Sequence, residues 1–147
     1  MGVNFSNSFR DKRILITGHT GFKGAWLANW LLHLGAKVSG FALAPVYKEN
    51  LFTLSNLENE IDHMEGDIRN AQCLSTFIDQ QQPEIIFHLA AQSLVRKSYI
   101  NPIETFETNI LGGVNLLEAV KESDSVKVLI FVTSDKCYKN NEWVWGY

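Results

Sequence analysis

The stretch Gly18-His19-Thr20-Gly21-Phe22-Lys23-Gly24 constrains this chain most. Its three glycines are spaced by three, between an apolar run, Arg13-Ile14-Leu15-Ile16, and an apolar segment opening at Ala25-Trp26-Leu27. Strand, glycine turn and helix, in that order, build a nucleotide cradle in a parallel α/β unit. Gly18 permits the tight turn, Gly21 admits a pyrophosphate to the backbone, and Gly24 lets the helix lie close to the strand. The helix start adds unpaired N–H groups and a partial positive charge that suit phosphate. A loop that merely turns is the alternative, and the strand-to-helix context weighs against it.

Periodicity extends the pattern along the chain. Residues 1–11 read as a polar lead-in and residues 12–147 as one dinucleotide-binding domain. Strands are predicted over 12–17, 37–43, 61–65, 84–89 and 126–133, the fourth apolar enough for burial on both faces. A helix is predicted over 22–34, with Trp26, Leu27, Trp30, Leu31 and Leu34 at helical spacing and Gly35 as its stop. Residues 46–60 are mixed and allow a short helix around 51–57. Asn70 caps a helix that runs to about Gln81, before Pro83. The longest helix starts at Asn101-Pro102, with Glu104 completing a capping box, and runs to about Lys121. Its apolar face is Phe106, Ile110, Val114, Leu117 and Val120. Alternating strands and helices imply a Rossmann-type doubly wound parallel sheet of the α/β class with right-handed crossovers. Ligands of such sheets bind beyond the carboxyl ends of the strands. Those ends carry Gly18, Ala42, Asp67, Leu89-Ala90-Ala91-Gln92 and Ser134-Asp135-Lys136.

Composition narrows the partners. The chain has 147 residues, 46% hydrophobic and 20% charged, enough for one domain with a core. A net charge of −3 gives no reason to expect nucleic acid or an anionic membrane. No apolar run approaches the roughly 18 residues of a membrane span, and the start lacks the basic and apolar regions of a signal peptide. Cys73 and Cys137 form neither a metal spacing nor a disulfide framework, so the reading is a reduced cytoplasmic compartment and no metal. His33 and His63 read as structural or surface residues, and His88 as a satisfied core histidine. Cys137 beside Lys136 suggests an activated thiol, but with no paired histidine a passive role is favoured. Asp67 is a turn or capping aspartate, or a ligand contact. Trp26 and Trp30 are core or interface. Arg96 and Lys97 are either a substrate-phosphate contact or a solvated pair.

With these residues assembled, the chain resembles the extended short-chain dehydrogenase/reductases, and within them the CDP-glucose 4,6-dehydratases. The stretches that carry the resemblance are Thr17 to Gly24, Asp67-Ile68-Arg69, His88 to Gln92, Asn109 to Glu118, Thr133-Ser134-Asp135-Lys136-Cys137-Tyr138, and Glu142-Trp143-Val144-Trp145-Gly146-Tyr147. The resemblance implies NAD as cofactor, CDP-glucose as substrate and a homo-oligomer paired through the long helix. It also implies a dehydration with internal redox: oxidation at C4 of the hexose, loss of water across C5–C6, and reduction at C6. Cofactor contacts then fall on Gly18 to Gly24, on Asp67 at the adenine amino group, on Ile68 against the ring, on Leu89 to Gln92, and on Asn109. Ser93 and Arg96 become substrate contacts. Ser134 would hydrogen-bond the 4-oxygen and Asp135 would protonate the departing C6 hydroxyl. Lys136, where many relatives have Glu, becomes a candidate C5 base.

Two departures bear on the reading. The dinucleotide rule expects an acid near the end of the second strand, where this chain has Phe41-Ala42-Leu43-Ala44. NAD over NADP therefore follows from the resemblance alone, and His19 and Lys23 would even suit a 2′-phosphate. The family's Tyr-x-x-x-Lys pair does not occur: Tyr138 is followed four residues later by Glu142. The chain is thus expected to be truncated before that motif, to lack the substrate domain, and to be inactive alone. The alternatives are another sugar-nucleotide epimerase or dehydratase, against which Ser134-Asp135-Lys136 argues, and a non-catalytic dinucleotide sensor, which the missing pair supports.

Overall fold

A computed structural model describes residues 7–134 and 137–146. Ile14, Leu15 and Ile16 of β1 (Arg13–Thr17) are fully buried, and they organise the rest. Successive side chains of a strand point to opposite faces. Ile14 and Ile16 therefore enter one core and Leu15 the other. The first core is closed by α1 (Phe22–His33), through Ala25, Ala28 and Leu31, and by Phe52 and Leu57. Those two residues come from two short helices, α2 (Leu51–Leu54) and α3 (Leu57–Glu60), where one was predicted. The second core is closed by α4 (Ala71–Gln81), through Leu74, Phe77 and Ile78, and by Leu116 and Ala119 of the long helix. Each such buried aliphatic or aromatic side chain is worth about 1.5–3 kcal/mol.

The sheet runs β3 (Asp62–Glu65), β2 (Lys37–Ala42), β1, β4 (Ile85–His88), β5 (Val128–Phe131), with every pairing parallel. This is the doubly wound Rossmann order, in agreement with the sequence reading. The amino ends of β1, β4 and β5 are tied together at the end of the sheet opposite the strands' carboxyl ends. There Glu84 pairs with Lys12 at 3.1 Å, and the Lys127 N–H donates to the Glu84 carbonyl.

Several expectations need correction. Of the two readings of Trp26 and Trp30, core fails: they face outward at 58% and 56% exposure, because the small residues Gly24, Ala25 and Ala28 form the sheet-facing side of α1. The fifth strand is four residues long and partly exposed. A helix absent from the sequence reading, α5 (Val95–Ile100), follows β4. The long helix is continuous but not uniform: α6 (Pro102–Phe106) passes through a π-helical turn (Glu107–Leu111) into α7 (Gly112–Lys121). Asn101 caps it by accepting from the Glu104 N–H, as the capping box predicts. Its sheet-facing residues are Gly112, Gly113, Leu116 and Ala119, so of the predicted apolar face Phe106, Ile110, Val114 and Leu117 look outward and Val120 packs against the second core. No helix among the described residues is long and apolar enough to cross a membrane.

Candidate functional site

The carboxyl ends of β1, β3 and β4 meet the start of α1 and one side of the long helix. At the end of β1, Gly18 turns with φ +81°, its N–H donating to the Phe41 carbonyl at 2.9 Å. A side chain there would be strained, and its Cβ would stand 2.8 Å from the Ala90 nitrogen. A Cβ at Gly24 would collide with the Gly18 carbonyl oxygen, so glycine is what lets α1 approach β1. Gly21 caps α1 in extended geometry with no side-chain hydrogen bond, and the first turn holds no acid. The orphan N–H groups of that turn are thus left for an anion, which is the property a pyrophosphate site needs.

Thr20 donates its hydroxyl to the Leu43 carbonyl at 2.9 Å and ties the glycine loop to the end of β2. Phe22 and Lys23 are exposed. His19 is fully buried, its ring 5.2 Å from that of Phe52 and 5.5 Å from that of His63. Burial, then the neighbouring His63, lowers its pKa to about 4, and the Phe41 carbonyl offsets this without a hydrogen bond of good geometry. The imidazole is therefore neutral and turned away from the crevice. With its ring fully buried, His19 has no exposed side chain to meet a 2′-phosphate, against the expectation.

At the end of β4, Thr17 Oγ1 lies 2.7 Å from His88 Nδ1 and accepts the Ala90 N–H at 3.3 Å. Burial lowers the His88 pKa to about 4, so the ring is neutral, and it packs against Phe131 with centroids 4.3 Å apart. His88 is a core histidine that splices β1 to β4, as the sequence reading holds. Leu89 and Ala90 are half-buried and Ala91 is exposed. Asn109, in the π-helical turn, accepts the Gln92 N–H at 2.7 Å and donates to the Gln92 carbonyl at 3.0 Å. Its side chain is engaged in holding the β4 loop.

The β3 loop is anchored more heavily. Asp67 Oδ1 accepts the Arg69 N–H at 2.9 Å, and Oδ2 accepts from Arg69 Nε at 2.9 Å and from Nη2. These bonds hold the Asp67 carboxyl below its ordinary pKa. Arg69 also donates to Glu107 in the π-helical turn at 3.4 Å. Ile68 is 4% exposed, packed against Gly112 where a Cβ would stand 2.6 Å from its Cδ1. Its side chain thus offers a ring almost no surface, against the expected contact. Asn115 donates to the Ile68 and Arg69 carbonyls. A groove of about 720 Å³ opens here, lined by Asp67, Arg69, Asn70, Glu107, Leu111 and Asn115 among others.

The substrate-side residues are less assembled. Ser93 and Arg96 are exposed, before and within α5, and Lys97 is paired with Glu104 at 2.7 Å. Ser134 is exposed after β5. Asp135 and Lys136 lie outside the described residues. Cys73 and Cys137 are both free thiols, the latter donating to the Ser134 carbonyl at 3.1 Å. No group of three His, Cys, Asp or Glu among the described residues is placed to hold a metal. The sequence reading missed Glu107 and Asn115, whose signal was their position in and beside the stretch that already carried Asn109.

Residues 15–142 match the family described as GDP-mannose 4,6 dehydratase. The chain is 50% identical over 141 residues to a CDP-glucose 4,6-dehydratase of Salmonella typhimurium, covering 96% of this chain and 39% of that protein. Its fold superposes on a UDP-glucose-4-epimerase of Stenotrophomonas maltophila with bound NAD, with a TM-score of 0.79 at 22% identity, over 90% of this chain and 40% of the other. A UDP-glucose 4-epimerase of Thermus thermophilus in complex with NAD gives a TM-score of 0.70 at 30% identity, over 79% of this chain and 36% of the other. The chain thus spans about two fifths of the length of the relatives it matches.

Proposed function

The chain belongs to the GDP-mannose 4,6 dehydratase family, within the extended short-chain dehydrogenase/reductases, and on that footing we propose that it is the NAD-holding part of a CDP-glucose 4,6-dehydratase. The observation that carries the dinucleotide half is the start of α1: uncapped, free of acid, and set directly over the Gly18 turn. The NAD-bound relatives of the same fold support NAD as the occupant. Likeness to the Salmonella typhimurium CDP-glucose 4,6-dehydratase supports the sugar nucleotide.

NAD, when bound, would supply a hydride acceptor for C4 of the hexose and a hydride donor for C6. The residues of this chain supply part of the remainder. The backbone of Gly18 to Gly24 binds the pyrophosphate, with Lys23 beside it. Asp67 accepts from the adenine amino group, and Leu89 to Ala91 line the crevice. Asn109 fixes Gln92, and Ser93 and Arg96 meet the substrate. The Ser134 hydroxyl hydrogen-bonds the 4-oxygen. Asp135 gives a proton to the departing C6 hydroxyl, a task for a carboxyl whose pKa is raised. Lys136 takes the C5 proton and must be neutral to do so, through desolvation or neighbouring cations. The outward stripe Phe106, Ile110, Val114 and Leu117 pairs two copies of the protein.

The test is to incubate the gene's native product with CDP-glucose, dTDP-glucose and GDP-mannose and follow each mass. Loss of one water from CDP-glucose alone is the expected result. Loss from a different nucleotide keeps the chemistry and overturns the substrate. No loss from any of them overturns the reading.

A further inference from the structure

The long helix holds the β3 loop at three points, by three different kinds of interaction. Glu107 reaches Arg69, which grips Asp67. Gly112 leaves the space that the Ile68 side chain fills. Asn115 spends its amide on two consecutive carbonyls, Ile68 at 3.0 Å and Arg69 at 3.1 Å. Asn115 is the informative one. A single planar NH₂ bridging successive carbonyls fixes the orientation of the peptide unit between them. The direction of the Ile68 and Arg69 peptides, and with them Asp67, follows from that amide. A helix residue with no role in this loop would not need such a donor: the neighbouring outward positions Val114 and Leu117 are apolar.

We infer that Asn115 is a positioning residue for purine recognition, setting the Asp67–Arg69 loop so that the dinucleotide is discriminated by the group at C6 of its purine. This rests on the reading that Asp67 meets the adenine amino group. The Asp67 carboxylate is an acceptor only, so it favours a 6-amino purine over a 6-oxo purine. Discrimination depends on where that carboxylate stands, and Asn115 holds the backbone immediately after it. Glu107 acts on the same carboxylate from further away, through Arg69.

The experiment compares binding of NAD and of nicotinamide hypoxanthine dinucleotide, by calorimetry, to the native protein freed of bound dinucleotide. Asn115→Leu keeps the side chain's size and removes both donors. The expected result is that the preference for NAD over the hypoxanthine analogue narrows about tenfold, the worth of roughly one net hydrogen bond. Asn115→Thr, which keeps one hydroxyl donor, should fall between, and it stands in if the leucine variant does not fold. Weakening of both dinucleotides by the same factor would show a merely structural residue and overturn the inference, as would no change in either. Asp67→Asn separates the two readings. If it leaves the preference intact, the adenine assignment of Asp67 fails. If it abolishes the preference while Asn115→Leu does not alter it, the assignment stands and the role of Asn115 fails.

Discussion

β1 and β5 carry similar apolar runs, Ile14-Leu15-Ile16 and Val128-Leu129-Ile130-Phe131, yet they live in different surroundings. The first is fully buried; in the second, Val128, Ile130 and Phe131 are 45%, 38% and 37% exposed. The difference comes from place in the sheet. β1 has β2 and β4 on its two sides and helices over both faces, whereas among the described residues β5 pairs with β4 only. Among the described residues, the strand that leads into the Gly18 turn is therefore enclosed on both faces, and the strand that leads to Ser134 is partly exposed. An apolar run reports that a strand will be made, but not how many neighbours it will have.

The most severe way to break that contrast is to cut the same side chain on both strands. Ile16→Ala should cost about 2–5 kcal/mol, and Ile130→Ala less than half as much, measured by urea denaturation. Equal costs would mean that β5 is as enclosed as β1.

Acid tests the closed side chemically. His19 and His88 both have folded pKa values of about 4 against 6.5 when solvated. The unfolded chain takes up protons that the folded one refuses, so the contribution of these two histidines is complete above about pH 6.5, falls as pH drops towards 4, and levels off below. Each histidine contributes about 3 kcal/mol to that fall at most. His19→Leu should flatten the melting-temperature profile over this window, and an unchanged slope would refute the burial of a neutral imidazole.

Smaller effects sharpen the comparison. Gly24→Ala drives a methyl into the Gly18 carbonyl and should cost about 1–3 kcal/mol together with dinucleotide affinity. Gly113→Ala tests the β5 side, where a Cβ would stand 3.0 Å from the Phe131 ring, whose exposed edge can give way. It should cost less and leave NAD binding unchanged in a titration. Asn70→Ala removes the cap that accepts the Cys73 N–H and should lower stability by about 1 kcal/mol, read from the melting curve.

These contrasts separate what the sequence could and could not disclose. Strand number, sheet class and the glycine cradle were legible because each depends on local order: a period of two, a period of 3.6, and glycines at a strand-to-helix junction. The facing of helices was not. Trp26 and Trp30 fit a helical stripe, but Ala25 and Ala28 beside them allow closer approach to the sheet, and packing chose the small residues. The long helix misled for a related reason. Gly112, Gly113, Leu116 and Ala119 face the sheet there, while Phe106, Ile110, Val114 and Leu117 look outward. Of the candidate site, Gly18 to Gly24 were legible as a motif and Asp67 through the family resemblance, whereas the holding contacts of Asn109 and Asn115 reach 17 and 47 residues away in sequence, which periodicity does not encode.

A crystal structure of the native protein with NAD tests the central claim most directly. The account predicts the pyrophosphate over the first turn of α1, within about 3 Å of its backbone N–H groups, and the adenine amino group on Asp67. A dinucleotide bound away from the Gly18 turn, or no binding at saturating NAD, would contradict it.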